Sequence, residues 1–181
     1  MTGRQIIFLA LVLPVIAVAG FWLHEFGHWA MGEALGHEMV MSLNGAHPVD
    51  RFAPLPPGHA NLILAAGPAV TVALAALAVF IVRASAVLGF AIAFFALHMR
   101  IMAYGISVLA NPNDEAKIGL NLGLGPHMLH LAVIAVTLLL ALFIARKAQA
   151  GWLAWLVAFV ASSASLALVV MLLDPLIGRI L

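Results

Sequence analysis

The sequence predicts an all-α fold: a polytopic bundle of about five transmembrane helices, forming one membrane-embedded domain over residues 1–181. Three observations lead there. Hydrophobic residues make up 65% of the chain and charged ones 8%, with a mean hydropathy of +1.16, more apolar surface than a soluble domain of this length could cover. Apolar runs recur at about the 20-residue length that crosses a bilayer. Polar, proline-rich or charged breaks separate them.

The first run spans about 5–35, and Pro14 within it removes a helix hydrogen bond and predicts a bend. Arg4, the stretch from Ile6 and Ala17-Val18-Ala19 also fit a cleavable signal peptide. The run continues past Ala19 without a break, however, so a retained first helix is expected. From Gly36 to Gly58 the chain reads as a polar connection, with Pro48, Pro54, Pro56 and Pro57. The second span covers about 60–82 and closes at Arg83; the third covers about 85–109. Asn111-Pro112-Asn113-Asp114-Glu115 opens a second polar connection, reaching about Pro126. A fourth span, about 128–145, closes at Arg146-Lys147, and the fifth, about 152–173, ends at Asp174-Pro175.

Composition also excludes function classes. A formal net charge of +1 gives no footprint for nucleic acid. Cysteine is absent, so disulfides and thiolate metal sites are unavailable and any metal must be held by His, Asp or Glu.

Within the first span lies His24-Glu25-Phe26-Gly27-His28. Histidines four apart on a helix project from one face and can grip one metal ion, and the intervening Glu can take a proton from a bound water. Each ionisable group at membrane depth costs roughly 2.5–3.5 kcal/mol on insertion scales. Metal binding supplies a compensating reason for three in about one turn. His24 lies some 30 Å along its helix at 1.5 Å per residue. Counting crossings then places the motif, the 36–58 connection, the Asn111–Glu115 turn, His127, His130 and Asp174 at one end of the bundle. Positive charges lean towards a cytoplasmic N-terminus, with Arg4, Arg83, Arg146 and Lys147 on the starting side against Arg51, Lys117 and Arg179.

A catalytic zinc usually takes three protein ligands, leaving a position for water. Asp114, after Asn-Pro-Asn at the motif-side end of the third span, is the first candidate for the third ligand. It also suits a helix N-cap. Asp174 is the competing ligand, and Glu115 ranks below both. Gly67-Pro68, near the motif-side end of the second span, fits either close packing with a bend or a helix opened beside the metal to hold an extended substrate. His98 and Arg100, inside the third span, are expected to face the bundle in packing or an ion pair. His127 and His130 read as interfacial groups rather than a second metal site, and His37, His47 and His59 carry little information.

In order, His24-Glu25-Phe26-Gly27-His28, Ala66-Gly67-Pro68 and Asn111-Pro112-Asn113-Asp114 resemble the site-2 protease family of intramembrane zinc metalloproteases. The likeness covers residues 24–114, about half the chain. It implies zinc on His24, His28 and Asp114, with Glu25 as the catalytic acid/base. It also implies cleavage of peptide bonds in a transmembrane protein or peptide within the lipid bilayer. The family's aspartate motif is usually Asn-Pro-Asp-Gly-like; here Asn113 intervenes and Glu115 replaces the glycine. Thr71 stands in the region where an Asn often follows the Gly-Pro element. Many members place zinc nearer the cytoplasmic face, which implies an N-terminus outside, opposite to the charge count. Two other readings fit some residues. A di-iron membrane hydroxylase would use His24/His28 with His127/His130, and a metal carrier or silent relative would keep the ligands without needing Glu25.

Overall fold

A computed structural model describes residues 1–52 and 54–181; Ala53, inside the first polar connection, lies outside the described residues. The chain is an all-α bundle, and five of its helices are long and apolar enough to cross a membrane.

Helix α1 runs Gly3–Ala34. It starts at a reciprocal capping box, in which the Thr2 hydroxyl accepts from the Gln5 amide and the Gln5 side chain accepts from the Thr2 amide. Pro14 sits inside without ending it. The helix stops where Gly36 takes a positive φ of 83°, a conformation open to glycine at little cost. Helix α2, Pro57–Ala84, begins with proline in its first turn, where the missing N–H is no loss. Pro68 lies inside it without ending it. Helix α3, Ala86–Leu109, is capped by the Ser85 hydroxyl accepting from the Leu88 amide. It is the most enclosed of the five, packed against α1 and α2. The short α4, Asp114–Asn121, follows, then α5, Met128–Ala148, and α6, Trp152–Leu168. The last span does not finish at Asp174-Pro175. It passes through a π-helical turn, Val169–Leu173, into α7, Asp174–Ile177, where Pro175 is tolerated in the first turn.

The 36–58 connection holds structure that its polar composition concealed. Met39–Ser42 (β1) and Gly45–Pro48 (β2) form an antiparallel hairpin packed on α1. The register pairs Val40 with His47 and Met41 with Ala46. Alternate pairs in such a ladder exchange hydrogen bonds while the pairs between them point outward. The Val49 amide donates to Glu38 O at 2.9 Å, which sets the phase and turns Met41 and Ala46 outward. Met41 meets the end of the chain, accepting from the Ile180 amide at 2.7 Å and donating to Leu181 O at 3.0 Å. Ala46 points the other way, into a cleft described below.

The core sits among α1, α2, α3, α5 and α6, with Leu9, Leu13, Phe90, Ile144 and Val169 fully enclosed. Apolar residues at the outer surface, such as Leu11, Phe80, Leu139 and Met171, are exposed, as expected for helices that meet lipid rather than water. The hairpin, α4, the start of α5 and α7 gather at one end of the bundle, where the crossing count put the polar groups.

Candidate metal centre

His24 and His28 stand one turn apart on the inward face of α1, both buried. Small residues make that face approachable. A Cβ at Gly27 would lie 2.9 Å from Ala66 O, so α1 and α2 touch backbone to backbone here. A Cβ at Gly67 would lie 2.2 Å from His28 Nε2 and 2.6 Å from His24 Cε1. Gly67 therefore leaves the space the imidazoles occupy. The opened-helix expectation for Gly67-Pro68 is corrected: α2 stays helical, and the glycine matters for what its missing side chain permits.

The outer nitrogen of each ring is held from α2. His28 Nδ1 donates to Ile63 O at 2.6 Å, an oxygen that can only accept. His24 Nδ1 lies 3.0 Å from Thr71 Oγ1, whose own proton goes to Gly67 O at 3.2 Å, so the imidazole is again the donor. Both rings thus carry hydrogen on Nδ1 and turn the Nε2 lone pair inward.

Asp114 closes the site. It is the first residue of α4, with Asn113 as N-cap, so the capping alternative belongs to its neighbour. Its Oδ2 lies 3.3 Å from His24 Nε2 and 3.3 Å from His28 Nε2, and the two nitrogens are 3.2 Å apart. The competitor, Asp174, is engaged elsewhere: its Oδ1 accepts from the Asn44 amide at 2.9 Å, tying α7 to the hairpin turn.

Three lone-pair atoms therefore face one another in a nearly equilateral triangle. A proton would bridge only two of them; a metal ion can bind all three. Tetrahedral coordination at about 2.0–2.1 Å gives ligand-to-ligand edges of roughly 3.3 Å, matching the triangle, and two imidazoles with a carboxylate suit a first-row divalent ion. Among the described residues, this is the one group of three or more such side chains close enough to share a metal.

No family model, curated protein or solved structure matches the chain.

The triangle opens on a cleft of about 350 Å³ whose wall includes Glu25, Asn44, Ala46, Asn113 and Lys117. Glu25 thus lines the same cleft as both histidines. The other expected groups take varied places. His98 is a packing residue, stacked on Phe94 at 5.9 Å and bonded to Ser163 Oγ at 3.2 Å. Arg100 is paired with Glu115 at 3.0 Å. His127 is exposed, whereas His130 is fully buried against Ser107, correcting its reading as an interfacial group. His37 and His59 pair with each other at 2.9 Å, away from the triangle. Sequence reasoning missed Thr71 and Ile63 as the groups that fix the rings. The carbonyl of Ile63 leaves no trace in residue identity, but a threonine four residues after Gly67 was a readable signal.

Proposed function

We propose that this chain is a multi-pass intramembrane zinc metallopeptidase, similar to the site-2 protease family, that hydrolyses peptide bonds of membrane-embedded proteins or peptides. The observation that carries the reading is the convergence of His24 Nε2, His28 Nε2 and Asp114 Oδ2, with the carboxylate of Glu25 in the same cleft wall. That is the ligand number of a catalytic rather than a structural zinc.

Zinc held by these three residues would polarise a scissile carbonyl and make water acidic enough to be deprotonated near neutral pH. Glu25 takes the proton from the attacking water and passes it to the departing amide nitrogen. Thr71 and Ile63 keep the rings in the tautomer that leaves both Nε2 atoms free. The open edge of β2 supports a peptide as the substrate. Ala46 lines the cleft and directs its N–H and C=O away from β1, so an extended backbone can add there as a strand. A helical substrate hides its carbonyls in hydrogen bonds, and strand pairing offers replacements as it unwinds. The competing readings receive less support. Thr137 and Ser165, among the few polar groups a carrier would need in the last two spans, are bonded to their own helix carbonyls. A di-iron site lacks the second histidine pair, because His130 faces Ser107 and Glu115.

The test is metal content and cleavage in one preparation. The purified chain in nanodiscs is expected to hold one zinc and to cut some members of a transmembrane-peptide panel. Glu25→Gln should hold the zinc and cut none. Two irons per chain, or cleavage by Glu25→Gln at the wild-type rate, would overturn the proposal.

A further inference from the structure

Asp114 reaches the histidines from a turn-initial position on a helix of eight residues, too short to hold itself in place. Its two sequence neighbours are both bonded to α3. On one side, the Asn113 amide donates to Ser107 Oγ at 3.1 Å and its Nδ2 donates to Ala103 O at 2.8 Å. The Ser107 hydroxyl donates in turn to Asn113 Oδ1 at 2.5 Å and accepts from His130 Nε2 at 3.0 Å. On the other side, Arg100 Nη1 donates to Glu115 Oε1 at 3.0 Å, with side-chain exposures of 2% and 3%. His130 Nδ1 stands 3.6 Å from Glu115 Oε2. Helices α3, α4 and α5 thus meet at one buried point beside the proposed ligand.

The pair is poorly built for stability. Arg100 Nε and Glu115 Oε2 are buried without a hydrogen-bond partner among the described residues. A buried ion pair recovers its desolvation cost only when its remaining polar atoms are satisfied, and apolar replacements of similar size are often neutral or stabilising. What this pair does supply is position: one bond from a transmembrane helix fixes the residue next to Asp114.

We infer that Arg100 and Glu115 are positioning residues that aim Asp114 at the metal, an inference that rests on the metal site proposed above. Glu115 stands where the resembling family carries glycine, so the device belongs to this chain's own version of the motif. Supporting groups around metal ligands typically change affinity by about 10–100-fold when removed.

The experiment is Zn²⁺ and Co²⁺ titration of the full chain in detergent, with thermal unfolding of the metal-free form measured in parallel. Glu115→Ala and Arg100→Met should each weaken metal binding by about 10–100-fold and alter the visible spectrum of bound Co²⁺. Glu115→Gln keeps an acceptor for Arg100 and should restore most of the affinity. The double variant Arg100→Met/Glu115→Leu replaces the pair with apolar groups. It should unfold at or above the wild-type temperature and still bind metal weakly, which a merely structural role would not produce. Wild-type affinity and spectrum in the folded double variant would overturn the inference, with the metal site intact. Absence of metal binding in the wild type would overturn the site itself.

Discussion

Gly67→Ala is the sharpest single test of the centre, because it adds one methyl group at its tightest point. The new Cβ would lie 2.2 Å from His28 Nε2, against an ordinary contact distance of 3.4 Å or more, a shortfall of about 1.2 Å. His28 cannot yield by a small rotation, since its Nδ1 is held by Ile63 O at 2.6 Å. It must give up that bond and leave the triangle, or α1 and α2 must separate where Gly27 packs on Ala66. Overpacking of this kind costs about 1–3 kcal/mol. Alanine recovers up to about 1 kcal/mol in a helix interior relative to glycine. The net loss of stability is therefore about 0–3 kcal/mol, and the bundle should survive. Metal binding should not, because one of three ligands is displaced: a fall of at least about 100-fold, equivalent to about 2.7 kcal/mol. The assay is zinc content after dialysis together with circular dichroism in detergent. A folded Gly67→Ala protein that keeps one zinc at wild-type affinity would refute the geometry from which the site is built.

His24→Ala or His28→Ala should weaken zinc binding by more than about 100-fold, since two ligands remain of three; elemental analysis after dialysis reads it directly. Thr71→Val removes the acceptor for His24 Nδ1 at nearly constant volume and should cost about 10-fold in zinc affinity, measured by competition with a fluorescent chelator. Asp174→Ala should leave zinc binding unchanged while releasing the Asn44 amide, costing about 1 kcal/mol and speeding hydrogen exchange in the hairpin turn. Loss of zinc in that variant would restore Asp174 as a ligand. A strong chelator should abolish cleavage, and added Zn²⁺ should return it.

Much of this architecture is written in composition and spacing. Long apolar runs with polar ends allow little besides membrane-length helices, and all five expected spans lie within a few residues of the observed ones. His24 and His28 were legible because i, i+4 spacing fixes their common face. Asp114 was legible only as a candidate, since nothing in Asn111–Glu115 says which acidic side chain turns inward. The choice is made by Ser107 and Arg100, which take Asn113 and Glu115 and leave Asp114 facing α1. The hairpin escaped notice because its prolines and polar residues matched a loop. The alternation of Met39, Met41 and Leu43, all buried, was the available strand signal, with the turn at Leu43-Asn44. Gly67-Pro68 left two readings open, close packing or an opened helix, and the continuous α2 removes the second.

The contact between Met41 and residues 180–181 has a consequence for life in a crowded bilayer. A short strand with a bare edge invites pairing with whatever extended segment drifts past, another copy of the same chain included. In this fold the β1 edge at Met41 is already occupied by the chain's own residues, and the β2 edge carries Ala46, which lines the cleft with Glu25 and the histidines. Neighbouring molecules therefore find no strand to zip onto. A guest backbone must enter the cleft itself to find one, and Pro48, lacking an N–H, ends the match one step beyond Ala46. Such a brief grip, resting mainly on the N–H and C=O of Ala46, would read almost no sequence in a guest backbone.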